Sequence, residues 1–280
     1  VSEKSRSENI TKVLYPNDNV FEGKELRLKQ EYFFVTATVQ DIVRRFKKTH
    51  DSFDAFPDKV AIQLNDTHPA ITIPDLMRIL IDIEELDWDK AWDITVKTCG
   101  YTNHTVMPEA LEKWPVSLFE KVLPRHMQIV YEINRRFLEE LAKKHPGNDA
   151  LLRELSIIEE GSDKKVRMAN LAIIGSHSVN GVAALHTEIL KKDVFNSFYV
   201  NWPEKFNNKT NGITQRRWLK LCNPGLSTLI NDTIGDGWAK DLFQLRQLIP
   251  YADDASFRQK WMAIKHDNKV FLAKYILSHN

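Results

Sequence analysis

Three times within its first 181 residues the chain passes from a short apolar run into a cluster of Asn, Asp, Thr, Ser and His, and then into a stretch with helical spacing. Residues 60–64 read as a buried strand closed by Asn65-Asp66-Thr67-His68-Pro69, and residues 98–101 as a strand leading into Thr102-Asn103-His104-Thr105. Residues 168–174 read as a third strand, linked by Gly175-Ser176-His177-Ser178-Val179-Asn180-Gly181 to a helix over 182–192. Between them, residues 25–48, 73–86, 88–97 and 123–144 place apolar side chains three and four apart, the mark of helices with one buried face. A helix is also expected to contain Glu109 to Trp114. Such alternation predicts an α/β fold with a parallel sheet, in which ligands gather beyond the carboxyl ends of the strands.

Composition narrows the partners. The 39 basic and 38 acidic residues leave a net charge of +1, with no electrostatic footprint for nucleic acid or anionic lipid. No apolar run approaches the ~20 residues that span a bilayer. The start, Val1-Ser2-Glu3-Lys4, has neither an initiator methionine nor a signal sequence, so the chain is expected to begin partway through a longer one. Cys99 and Cys222, each in an apolar stretch, are expected to be buried, reduced thiols of a cytoplasmic protein. After Phe206 the strand signal fades and the chain turns helical, with breaks near Asn223-Pro224-Gly225 and at Pro250. This predicts one domain over 1–207 and the opening of a second over 208–280.

Asn, Asp, Thr and His at strand ends offer the donors and acceptors that suit the hydroxyls of a polyol better than an apolar ligand. No metal site is expected, because His, Asp and Glu do not recur at ligand spacing. Gly175 to Gly181 reads either as a tight turn or as backbone amides offered to an anion. Glu109 and Glu112, with Asp66, allow a carboxylate pair for glycoside hydrolysis, against the plainer reading of solvated helix carboxylates. Gln128, Tyr131 and Asn134 line one helix face, and Glu160 and Lys164 sit four apart.

Taken in order, Leu14-Tyr15-Pro16-Asn17-Asp18-Asn19, Gly23 to Phe33, Leu64-Asn65-Asp66-Thr67-His68-Pro69, Tyr101-Thr102-Asn103-His104-Thr105 and Lys209-Thr210-Asn211-Gly212-Ile213-Thr214 closely resemble the glycogen/starch phosphorylase family, over essentially the whole chain. The resemblance implies a GT-B-type fold with Rossmann-like parallel sheets. It also implies phosphorolysis of an α-1,4-glucan by inorganic phosphate to α-glucose 1-phosphate, with the phosphate of pyridoxal phosphate as proton relay. Under it, His104, Asn211 and the backbone of Val182 bind the sugar. Asn17, Asp18 and Asn19 form a gate loop from which Asn19 reaches the sugar, and Asp66, His68 and Glu112 line the pocket beside the anomeric carbon. Trp218 stands near the cofactor. Gln128, Tyr131, Asn134, Glu160 and Lys164 belong to a glucan-storage surface, and the segment from Ser2 to Leu14 to a helix that pairs with a second copy in a homodimer. Two positions depart from the family: Gln215 replaces a proline, and Val20 an aromatic at the channel mouth. The cofactor's lysine and the groups that bind substrate phosphate are expected beyond this chain, which alone is expected to be inactive. The rival reading is a non-catalytic, dimerising glucan-binding module.

Overall fold

The computed structural model describes residues 2–279 apart from Tyr15 and Asp18. They divide into two compact units, Val1–Asn211 and Gly212–Asn280.

The first unit opens with α1 (Ser2–Lys12) and α2 (Phe21–Phe46), whose buried stripe Leu28, Val35, Val39, Val43 and Phe46 follows the helical repeat. Short α3 (Phe56–Lys59) leads into β1 (Ile62–Asn65), and α4 (Thr72–Arg78) continues as a π-helical turn, Ile79–Ile83. The Asp87 side chain caps α5 (Trp88–Thr98) by accepting from the Lys90 N–H at 2.9 Å, and α5 runs straight into β2 (Cys99–Thr102). There follow β3 (Lys113–Pro115), α6 (Val116–Val122), α7 (Pro124–Lys144), α8 (Asp149–Leu155), β4 (Ile158–Glu159), β5 (Lys165–Arg167) and α9 (Met168–Ile174). Then come β6 (Ser178–Gly181), α10 (Ala184–Ile189), α11 (Asn196–Asn201) and β7 (Phe206–Asn208).

The architecture is mixed α/β, rich in helix, with the expected parallel sheet. Its order is β1-β2-β6-β7, all four strands parallel. The register sets Leu64, Tyr101, Val179 and Phe206 side by side, and all four are buried, so one row of the sheet seats the core. A second, antiparallel sheet, β3-β5-β4, was not foreseen.

Three sequence expectations are corrected. Residues 168–174 form a helix, α9, in which every residue is buried, and the strand is the segment expected to be its linker, Ser178–Gly181. A short apolar run has no period that separates a buried strand from a buried helix. Glu109 and Glu112 share no helix: Pro108–Ala110 is one 3-10 turn, and β3 begins at Lys113. That removes the supposed carboxylate face. Finally, Cys99 is buried but Cys222 is exposed; both are free thiols.

The second unit is helical. A π-helical turn (Arg216–Leu221) precedes α12 (Pro224–Ile234), where Asn223 accepts from the Leu226 N–H at 3.3 Å and makes the expected break. A 3-10 stretch, Leu242–Asp253, carries Pro250, and α13 (Ala255–His279) closes the unit without burying a residue. Its small core gathers Ile230, Trp238 and Ala239, with the Trp238 indole N–H donating to Asn231 Oδ1 at 2.8 Å.

Candidate functional site

Because the four strands run the same way, their carboxyl ends share one edge, and the register aligns Asn65, Thr102, Asn180 and Asn207 across it. The Thr102 hydroxyl donates to Asn180 Oδ1 at 2.9 Å and accepts from Gln63 Nε2 at 2.8 Å. Backbone pairing continues past the strand ends: Asp66 N–H donates to the Thr102 carbonyl at 2.9 Å, Asn103 N–H to Asn180 at 3.0 Å and Asn211 N–H to Val182 at 2.9 Å. Asp66 adopts a left-handed backbone, φ 66°, and its Oδ1 accepts from Thr67 N–H at 2.6 Å, the local bond that lets Asp occupy this region.

His104, exposed after β2, lies with Nε2 2.5 Å from Asn65 Oδ1; an amide oxygen only accepts, so the proton is on Nε2. Asn211 Nδ2 donates to the Val182 carbonyl at 2.8 Å, so main and side chain of Asn211 grip the same oxygen. Val182 is held from the other side too, its N–H donating to His186 Nδ1 at 3.0 Å. His186 Nε2 then reaches Asn103 Oδ1 at 3.1 Å, which fixes a neutral tautomer, and burial lowers the pKa of this imidazole. Fully buried Asn103 also accepts from Thr105 N–H at 3.0 Å and donates to the Tyr101 hydroxyl at 3.0 Å. Gly181 is required here, since a Cβ would meet His186 Nδ1 at 2.9 Å and Thr187 Oγ1 closer still.

A second group of residues assembles beside this edge. His68 follows β1, Arg27 and Glu31 stand one turn apart on α2, and Glu112 precedes β3. His68 Nδ1 lies 3.1 Å from Arg27 Nη2, 3.4 Å from Glu112 Oε1 and 3.7 Å from Glu31 Oε1. The Glu31 side chain is 8% exposed and that of Glu112 12%, while His68 is half open. Burial, with Glu112 opposite, pushes the Glu31 carboxyl up to about 8 although His68 pulls it back, and Glu112 and Glu31 raise His68 to about 10. Among the described residues this is the one trio of His, Cys, Asp or Glu whose ligand atoms all lie within 4.8 Å, so it is where a metal could be held. Arg27, His68 and Glu112 line an open cleft of about 430 Å³ with Lys24 and Trp114.

Of the other expected positions, Asn17 and Asn19 are joined to each other, Asn19 N–H donating to Asn17 Oδ1 at 3.1 Å, and no described hydrogen bond ties them to the strand ends. Asp18 lies outside the described residues. Gln128 and Tyr131 are exposed on α7, and Lys164 pairs with Glu160 at 2.8 Å. Burial, together with nearby Glu120 and Glu160, raises the Tyr131 phenol. Asn134 is instead buried, binding the Ser156 hydroxyl at 3.1 Å and the Ile157 N–H at 2.8 Å, which ties α7 to the segment before β4. Trp218, in the second unit, is 67% exposed.

Sequence reasoning missed Glu31, Arg27 and His186. A signal existed for the first: Glu31 falls three after Leu28 and four before Val35, a carboxylate on the buried stripe of α2.

A profile of the family described as carbohydrate phosphorylase matches residues 1–280. The muscle form of glycogen phosphorylase from Mus musculus is 60% identical over 284 aligned residues, covering 99% of this chain and 34% of that protein. The Homo sapiens muscle form is 59% identical with the same coverage, and the Rattus norvegicus brain form 59% identical over 96% of this chain and 33% of its own length. The chain thus spans about a third of the relatives it matches.

Proposed function

The chain belongs to the carbohydrate phosphorylase family, and from that premise we propose that it forms part of a GT-B-type α-1,4-glucan phosphorylase, a retaining hexosyltransferase that releases glucose 1-phosphate. The strand-end polar row carries the reading. Four parallel strands deliver Asn65 and Asp66, His104, Val182 and Asn211 to one edge, cross-linked by the contacts of His104 with Asn65 and of Asn211 with Val182. Apart from the Asp66 carboxylate, these are neutral donors and acceptors or backbone carbonyls, the chemistry that pairs with sugar hydroxyls at about 1 kcal/mol net per hydrogen bond and rejects a ligand that leaves one unpaired.

In this reading His104 and Asn211 orient the glucosyl unit against the Val182 carbonyl. Asp66, His68 and Glu112 shape the wall beside the anomeric carbon, and Asn17, Asp18 and Asn19 gate the entrance. Glu112 shares no helix face with Glu109, and it is set against His68 and Glu31 instead. Pyridoxal phosphate supplies proton transfer to substrate phosphate when bound. In this reading the exposed Trp218 indole stands near it, and its attachment lysine is not among the residues of this chain. Residues 1–207 are the later part of an N-terminal glucan-binding domain and 208–280 the start of the cofactor domain.

Tyr131, Gln128, Glu160 and Lys164 offer an exposed surface for stored glucan, with Asn134 bracing it from beneath. The Ser2–Leu14 region pairs with a second copy in a cytoplasmic homodimer. No helix of the described residues is long and apolar enough to cross a membrane. The test is phosphorolysis by the intact protein, following glucose 1-phosphate from glycogen and phosphate with and without pyridoxal phosphate. Cofactor-dependent product that falls at least a hundredfold in His104→Ala is expected. A folded protein that binds glucan and forms no product would instead make this a non-catalytic binding module.

A further inference from the structure

We propose that Glu31, His68 and Glu112 form a three-ligand site for a divalent first-row cation, with zinc the best geometric fit; His68 and Glu112 belong to the wall described above, but no step of the phosphorolysis reading requires the cation. Zinc bound to nitrogen and carboxylate oxygen at about 2.0–2.2 Å in tetrahedral geometry sets its ligand atoms about 3.4 Å apart. His68 Nδ1 and Glu112 Oε1 are 3.4 Å apart, and His68 Nδ1 and Glu31 Oε1 3.7 Å, so little movement separates the present arrangement from a bound one. One imidazole and two carboxylates form the borderline donor set that zinc accepts, and they leave a fourth position for water.

A second observation points the same way. Glu31, more than nine-tenths buried on α2, has no hydrogen-bond donor for either carboxylate oxygen, and Glu112 Oε2 is also buried without one. Buried carboxylates ordinarily acquire donors or a cation, because the unmet group costs at least 1–3 kcal/mol. What faces Glu31 Oε1 is Arg27, with Nε at 3.5 Å, and the Nη2 of the same guanidinium lies 3.1 Å from His68 Nδ1. The guanidinium thus stands beside the Nδ1 that a metal would bind once the imidazole loses its proton. Arg27 is a built-in competitor: a cation enters only as this side chain, 22% exposed, swings into the adjoining cleft of about 430 Å³, which is also the entry path.

That competition gives the site a signature no surface histidine shares. The full chain is titrated with Zn²⁺ by calorimetry and with Co²⁺ by its visible absorption. One ion per chain is expected, with the intense Co²⁺ bands of a low-coordinate nitrogen–oxygen site. Glu31→Gln and Glu112→Gln should each weaken Zn²⁺ by at least ~100-fold, the scale on which metal sites respond to lost support, whereas Arg27→Met should tighten it at least several-fold. His68→Gln, at a half-open position that leaves α2 intact, should weaken it equally and guards against a folding defect in the buried variants. Unchanged affinity in Glu31→Gln and His68→Gln, no gain in Arg27→Met, or no saturable 1:1 binding would each overturn the assignment.

Discussion

Replacing Asn103 with alanine should destabilise the first unit by about 3 kcal/mol. The side chain is fully buried and serves three groups: it donates to the Tyr101 hydroxyl at 3.0 Å and accepts from Thr105 N–H at 3.0 Å and His186 Nε2 at 3.1 Å. Tyr101 is 0% exposed, so no solvent replaces the lost partner, and a stranded buried hydroxyl costs about 1–3 kcal/mol. Thr105 and His186 are half-buried and regain water, so each loses about 0.5–1 kcal/mol. Urea unfolding reads the sum as a lower midpoint at unchanged slope. If the Tyr101 bond dominates, Asn103→Ala costs less in a Tyr101→Phe background, with a coupling of at least about 1 kcal/mol. A loss below about 1 kcal/mol, or additive variants, would show that the network is not what holds the loop carrying His104.

Other consequences follow from charge and exposure. Asp75, fully buried, pairs with His126 at 2.8 Å and Arg78 at 3.0 Å, so Asp75→Ala should cost about 3–5 kcal/mol by leaving Arg78 and His126 without their shared carboxylate; thermal unfolding within about 1 kcal/mol of the parent would refute this. Burial lowers His186 in the folded state below its unfolded value near 6.5, so the unfolded chain binds the proton more readily. The stability from neutral His186 is therefore complete above about pH 6.5 and lost as pH falls below it through the lower folded pKa. The Val182 N–H contact goes with it, and His186→Gln should flatten a pH 5.5–7.5 stability profile if this is right. Tyr131→Ala should weaken glycogen binding by the intact protein several-fold, about 1 kcal/mol in glucan affinity, while leaving turnover of short maltodextrins within about twofold; equal losses on both substrates would place Tyr131 elsewhere.

What the sequence made legible is what has local period or local chemistry. The apolar stripe of α2 and the long α7 repeat every three or four residues, and the Asn and His clusters after β1 and β2 stand at strand ends as expected. α9 was misread because a helix buried on every side carries no amphipathic period: Met168, Leu171 and Ile174 are as hidden as Ala169 and Ala172. β3 and β5 were missed because three-residue strands derive their stability from pairing partners some 50 residues away, Trp114 opposite Val166, and not from intrinsic preference. The Glu31–His68–Glu112 group was invisible for the same reason, its members being 37 and 44 residues apart.

The places where local rules are broken gather at one edge of the sheet. Asp66 takes a left-handed backbone without being glycine, Gly181 is forced by the approach of His186, and buried Asn103 sits where an apolar residue would pack without needing partners. Glu31 completes the set as a carboxylate on an apolar stripe with no donor of its own. Buried Asn103 and Glu31 cost stability that a well-packed hydrophobic substitute would not, and elsewhere the core is ordinary: Leu64, Tyr101, Val179 and Phe206 in register, backed by Ile71, Leu76 and Leu171. Left-handed Glu85 closes a turn before α5 and shows that an isolated exception need carry no function. Co-location is what carries the argument, because scattered compromises would add strain without purpose, whereas compromises that converge on one polar edge hold donors and acceptors in fixed positions before any ligand arrives.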